Sequence, residues 1–232
     1  MRRHMFRWSP ARIIAGAFGS ISFIGSILLY LPWGHMPGQS ITYVDALYTA
    51  VSALCVTGLS IVDTAAVFNP FGQAILAVLI QVGGLGVSTM GAGVLLMLGR
   101  KVGIRQRNLI HDTMNLDSYS GVVRFLRTLF ATTVFIEVIG AFLGYFVFRR
   151  DYEMMESIGL SIFHSISSFN NAGLTILTKE RSMEMYAEDP FMLILTTALV
   201  FVGGLGFIVI RECWVNRFRW RKLSMHLSLI HI

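Results

Sequence analysis

Long apolar runs alternate with short polar breaks along this chain, and the alternation has a period of half its length. Four runs stand out: Ile13–Leu31, Phe71–Leu98, Phe125–Phe148 and Phe191–Ile210. Crossing a bilayer core takes about 20 apolar residues in a helix, so each run is predicted to span a membrane. Phe71–Leu98 is longer than one crossing requires, which predicts a tilted or protruding helix. Two shorter stretches, Ala46–Val62 (ALYTAVSALCVTGLSIV) and Leu160–Leu177 (LSIFHSISSFNNAGLTIL), have a different character. They are apolar enough to enter a bilayer but carry polar positions, in the first case Tyr48, Thr49, Ser52, Thr57 and Ser60. Each breaks at a glycine, Gly58 or Gly173. The pattern predicts a half-helix that enters the membrane, turns at the glycine and leaves on the side it came from. Irregular backbone at that depth is tolerated only where it is buried in protein or lines a wet cavity. Thr42 and Asp45 have the N-cap and first-turn spacing for the first half-helix.

The two halves repeat. Each reads span, loop, span, and the second span of each carries a glycine cluster, Gly83, Gly84 and Gly86 or Gly203, Gly204 and Gly206. The loop glycines lie 115 positions apart and the clusters 120 apart (173 − 58 and 203 − 83). Five extra residues in the second half fit the mixed-charge loop Lys179–Asp189. The expected fold is all-α and integral to the membrane, with two tandem span–loop–span repeats. Its parts are an amino-terminal segment 1–12, repeat one at 13–98, a linker at 99–124, repeat two at 125–210 and a basic segment at 211–226.

Charge orients this arrangement. If neither loop crosses, the amino terminus, Gly99–Arg127 and the basic tail share one side with 4, 6 and 5 of the 19 Lys and Arg residues. The other side holds Arg149, Arg150, Lys179 and Arg181 among nine carboxylates. The positive-inside rule then makes both termini cytosolic, with both loops entering from outside. Arg149 and Arg150 are the awkward pair, and neighbouring Asp151 and Glu153 are expected to offset them. A 54% hydrophobic, 14% charged composition with mean hydropathy +0.64 agrees with a membrane protein. Because the basic residues sit where topology requires them, the net charge of +6 does not indicate a nucleic-acid partner. Cys55 and Cys213 fall at different depths and are expected to be free thiols.

The loops carry the candidate chemistry. A cation in a bilayer must exchange its water for other oxygens, and backbone carbonyls supply them when the chain is held extended. A glycine at the bend permits φ > 0, and the half-helix ahead of it aims its partly negative C-terminal end at the site. The candidate ion-binding residues are Cys55, Val56, Thr57 and Gly58 with Asn170, Asn171, Ala172 and Gly173. The side chains differ between the copies while the glycine is kept, which suits coordination by backbone. Kinked or interfacial helices would fit the same pattern, as would other monovalent-cation pathways.

Certain stretches resemble the Trk/Ktr/HKT superfamily of potassium transporters, and more closely its Ktr-type membrane subunit. They are DALYTAVSALCVTGLSIVDT, FGQAILAVLIQVGGLGVSTM, EVIGAF, SIFHSISSFNNAGLTIL, VGGLGF and RFRWRKLSMH. The resemblance covers nearly all of residues 9–226. It implies potassium as the transported ion and no organic cofactor, and leaves open sodium as a coupling or stimulating ion. It implies a four-repeat subunit of which this chain holds the first two, forming a homodimer on a cytosolic ring of nucleotide-binding regulatory subunits. Two features depart from the family. Leu174 stands where phenylalanine often follows the loop glycine, and this is expected to alter packing behind the filter more than coordination. Leu227–Ile232 (LSLIHI) reads as translated adapter sequence after a truncated reading frame, with a natural divergent end as the alternative, and is set aside from the fold argument.

Other groups invite weaker readings. Glu137, inside an apolar run, costs roughly 2.5–3.5 kcal/mol to insert. It is expected to face a structural partner rather than relay protons. His164 is expected to pack behind the second loop. Gly83, Gly84, Gly86, Gly203, Gly204 and Gly206 are expected to serve helix packing or a hinge, since no strand precedes them as a phosphate-binding loop would require. With no nucleophile–base pair or zinc-site spacing, an enzyme ranks last, behind a non-conducting fragment. This reading leaves both passive and coupled transport open.

Overall fold

The computed structural model describes residues 10–97, 103, 122–177, 183–206 and 209. The flanking segments and most of the 99–121 linker, Cys213 and the Leu227–Ile232 end therefore lie outside the described residues. The described part is all-helical, with no strand and one isolated bridge, between His35 and Phe68. The helices are α1 (Pro10–Tyr30), α2 (Tyr43–Cys55), α3 (Thr64–Val67), α4 (Pro70–Leu85), α5 (Val87–Met97), α6 (Val122–Phe148), α7 (Met154–Phe169) and α8 (Pro190–Gly204). Ala11–Tyr30 and Val122–Phe148 are long and apolar enough to cross a membrane.

Local chemistry explains the boundaries. Thr42 and Asp45 form a capping box at the start of α2: Thr42 Oγ1 accepts from Asp45 N–H at 3.2 Å, and Asp45 Oδ2 accepts from Thr42 N–H at 3.1 Å. Asn69 caps α4, accepting from Phe71 and Gly72 N–H at 3.0 Å each, with Pro70 at the first helical position. Asp189 caps α8 the same way, accepting from Phe191 and Met192 N–H at 2.9 and 3.1 Å ahead of Pro190. Proline suits that position because its missing N–H would have no intrahelical partner there. Asn69 and Asp189 lie 120 positions apart, in the register of the glycine clusters.

The run Phe71–Leu98 does not form one helix. It divides into α4 and α5 at Gly86, whose φ of 82° belongs to a region that only glycine enters freely. Its N–H bonds the Gly83 carbonyl, one residue short of the helical pattern, at 3.0 Å. Helix α6 begins at Val122, three residues ahead of the predicted start. Arg150 is offset by Asp189, whose Oδ2 lies 2.7 Å from its Nη1. Arg149 donates to the Tyr152 carbonyl at 3.0 Å, and Asp151 accepts from Tyr186 Oη–H at 2.9 Å.

One buried cluster joins both halves, including Leu29, Ala50, Phe68 and Ile80 from the first and Phe148, Phe163, Leu174 and Met192 from the second. Leu174 thus fills the core behind its loop. The outside is apolar as well: Val44, Phe142, Ile194 and Phe201 are all more than half exposed. Water would penalise such a surface, whereas lipid tails do not. Close packing beneath it depends on matched glycines. A Cβ on Gly25 would meet Leu79, and one on Gly140 would meet Leu199. Gly25 and Gly140 are 115 apart, and Leu79 and Leu199 are 120 apart.

Candidate functional site

Helices α2 and α7 end in the same motif. At the end of α2, Val56 N–H bonds Ala53 O at 3.3 Å and Thr57 N–H bonds Ser52 O at 3.1 Å. At the end of α7, Asn171 N–H bonds Ser168 O at 3.1 Å and Ala172 N–H bonds Ser167 O at 2.8 Å. These paired bonds make a Schellman motif, which requires a left-handed residue after the helix. That residue is Val56 (φ 56°) in one copy and Asn171 (φ 58°) in the other. The chain therefore leaves each helix two residues before the glycine expected to make the turn. Gly58 (φ 76°) and Gly173 (φ 67°) add a second left-handed position to each segment. Asparagine visits this region readily, but a β-branched valine there is a conformational outlier.

A serine then clips each returning limb to its own helix. Ser52 Oγ–H donates to Leu59 O at 2.5 Å, and Ser167 Oγ–H to Leu174 O at 2.6 Å. Ser52 Oγ also lies 2.9 Å from Thr57 Oγ1. The carbonyls of Leu59 and Leu174 thus each accept one side-chain hydrogen bond, which fixes the returning limb. In the sequence Ser52 stood out only as a polar position of the first loop, and Ser167 was not singled out. Their signal was the conserved interval of seven to Leu59 and Leu174, together with their own separation of 115.

The structure brings the two candidate segments together at their glycines. A Cβ on Gly58 would lie 2.8 Å from Ala172 O and 3.5 Å from Gly173 Cα, and one on Gly173 would lie 3.6 Å from Gly58 Cα. Thr64 Oγ1–H donates across to Thr175 O and ties the outer limbs. Cys55, Thr57, Asn171 and Gly173 are exposed, Val56 and Gly58 half-buried, and Ala172 and Asn170 buried. Cys55 is a free thiol. Both helix C-termini end at this junction, where their partial negative charge favours a cation.

The Asn170 side chain turns away from the junction. Its Nδ2 lies within donating distance of Gln81 Oε1 (2.9 Å), Ile166 O (2.9 Å) and Glu137 Oε1 (3.2 Å). Glu137 Oε2 accepts from Gln81 Nε2–H at 3.3 Å. Glu137 therefore has structural partners, as its cost in an apolar run demanded, though the sequence did not reveal that Gln81 is one of them. His164 lies behind the second segment, with Nε2 3.0 Å from Thr196 Oγ1 and 3.3 Å from Ser168 Oγ.

The glycine clusters back the same region. A Cβ on Gly83 would fall on Leu54 O, one on Gly203 on Phe169 O, and one on Gly84 on the Asn170 side chain. Leu54 and Phe169 again lie 115 apart, so corresponding glycines meet corresponding helix ends. Among the described residues, Gly204 has only Asn171 Nδ2 near it, at 3.9 Å, and Gly206 repeats the φ of 82° seen at Gly86.

The family model for TrkH, described as a cation transport protein, matches residues 10–227. The chain belongs to the TrkH family. Against Ktr system potassium uptake protein B of Bacillus subtilis it is 35% identical over 224 residues, covering 97% of this chain and 49% of the relative. Against the Vibrio alginolyticus protein of the same name it is 36% identical over 233 residues, covering 99% and 49%. Against potassium/sodium uptake protein NtpJ of Enterococcus hirae it is 35% identical over 220 residues, covering 95% and 48%. The chain spans about half the length of these curated relatives. This TrkH-family chain is similar to KtrB-type membrane proteins over about half of their length, and those relatives are named for ion uptake, not for catalysis.

Proposed function

We propose that this chain forms half of a potassium-uptake pathway, with Cys55–Gly58 and Asn170–Gly173 as two of the segments that replace the ion's water. The carrying observation is the matched pair of left-handed helix ends whose glycines meet at Gly58 and Gly173. A pathway needs oxygens on all sides of the ion, and two segments supply only one side. Activity on this reading requires the part of the relatives' length that this chain does not span. By family resemblance, the completed subunit works as a homodimer on a nucleotide-binding regulatory ring, with its termini in the cytosol.

A second reading adds sodium to the transported ions. It is favoured by the name of the Enterococcus hirae relative, which includes both cations.

The test is potassium-limited growth of an uptake-deficient bacterium. One strain expresses the chain alone and another expresses it completed with the remaining part of the Bacillus subtilis relative. Rescue by the completed chain only is the expected result, and sodium competition in that strain separates the two readings. Failure of both strains, with protein present in the membrane, overturns the proposal.

A further inference from the structure

The two candidate segments match in backbone but differ in what stands behind them. At the start of the second, Asn170 is 9% exposed, and its amide sits between Gln81 on α4 and Glu137 on α6. In the first half, the positions corresponding by the 115-residue register are Ser22 for Glu137 and Cys55 for Asn170. By the 120-residue register, Phe201 corresponds to Gln81 and is 65% exposed. The described residues thus hold one amide–carboxylate seat, and it belongs to the second segment.

That seat is anchored on every side. Ser165 Oγ–H donates to the Glu137 backbone carbonyl at 2.7 Å, fixing α6 against α7. Gly140, one turn along, leaves the space that Ser165 occupies. Gly84 leaves the space for the Asn170 side chain, whose Oδ1 is buried there without a hydrogen-bond partner. The Asn170 Nδ2 has two hydrogens for three nearby acceptors, and both Glu137 oxygens accept, Oε1 from Asn170 and Oε2 from Gln81. Glu137 therefore draws both neighbouring amides into one orientation. Asn170 is the residue directly before left-handed Asn171, so a rotation of its side chain passes into the backbone of Asn171 and Ala172.

We propose that Glu137 is a positioning residue: through Gln81 and Asn170 it holds the second segment in place from behind, and the cation selectivity of that segment depends on it. The selectivity clause rests on the transport reading above; the positioning clause does not. Glu137→Gln preserves shape but replaces an all-acceptor group with an amide that brings its own N–H donors against Asn170 and Gln81. The exchange variant Glu137→Gln/Asn170→Asp restores one carboxylate among amides.

The experiment uses the completed chain in membranes, with two readouts. Backbone hydrogen–deuterium exchange in Glu137→Gln is expected to rise across residues 170–174 and to stay unchanged across 55–59. The potassium-over-sodium uptake ratio, at matched membrane abundance, is expected to fall by up to roughly tenfold, the scale of one lost hydrogen bond. It should recover in the exchange variant. If Glu137→Gln does not accumulate, Gln81→Met removes one arm of the seat and must show the same local rise in exchange. Unchanged exchange across 170–174 overturns the positioning role. Raised exchange with an unchanged ratio, in a protein that transports potassium, overturns the link to selectivity. Absence of potassium uptake by the unmutated chain sinks the transport reading and the selectivity clause with it, while the exchange data still decide positioning.

Discussion

Replacing each loop glycine by alanine should give unequal effects, and the inequality follows from the surroundings. Gly58 and Gly173 both have positive φ, so an L side chain at either carries a backbone cost of about 1–2 kcal/mol. The added methyl group then meets different neighbours. At Gly173 the nearest atom is Gly58 Cα at 3.6 Å, an ordinary contact. At Gly58 it is Ala172 O at 2.8 Å, and reaching a comfortable 3.4 Å takes a displacement of about 0.6 Å (3.4 − 2.8). That displacement falls on a carbonyl proposed to face the ion. If the distortion discriminates between cations by about 1 kcal/mol, the potassium-over-sodium ratio changes roughly fivefold, since 1.4 kcal/mol is tenfold. Gly58→Ala should therefore lose thermal stability and selectivity, and Gly173→Ala mainly stability. Both are read in the completed chain by potassium and sodium uptake at matched membrane abundance and by thermal unfolding in detergent. Equal loss of selectivity in the two variants, or none in Gly58→Ala, would refute the reasoning.

The spans offer a second contrast. Gly83→Ala and Gly203→Ala each place a methyl group on a helix-end carbonyl and should destabilise by about 1–3 kcal/mol as overpacking does. Gly204→Ala, whose nearest neighbour among the described residues is at 3.9 Å, should unfold at the parent temperature; thermal scans in detergent compare the three. A third outcome concerns acid. The Met192 N–H foremost, then the Phe191 N–H and the Arg150 guanidinium, hold the Asp189 carboxyl below its ordinary value of 3.8. Its contribution to stability is therefore complete above pH 3.8 and lost as pH falls through the lowered folded value. Unfolding scans of the parent should show that acid loss, and Asp189→Ala should lack it.

The sequence carried the large features because they follow from composition and repetition. Apolar run lengths located α1, α6 and α8, and the Thr42–Asp45 spacing located the start of α2. The two registers predicted which glycines would correspond, and the structure extends that correspondence to caps, serine clips and helix ends. Gly86 was expected to serve packing or a hinge, but hydropathy is blind to φ and did not show that the apolar run breaks there. Two things were hidden outright. Val56 is a poor left-handed residue, so only the bonds around it reveal the turn. Gln81, Glu137 and Asn170 are separated by 56 and 33 positions, and nothing in a single sequence couples them.

The break at Gly86 also divides labour along the second span. Above it, α4 bears on the end of α2 so tightly that a methyl group cannot enter. Below it, α5 continues from a joint whose two flanking bonds, Gly86 N–H to Gly83 O and Met90 N–H to Gly86 O, are 3.0 Å each. The joint thus separates two seats along one span: α4 rests on Leu54 at the end of α2, and α5 rests on α6, where a Cβ on Gly93 would meet Phe130.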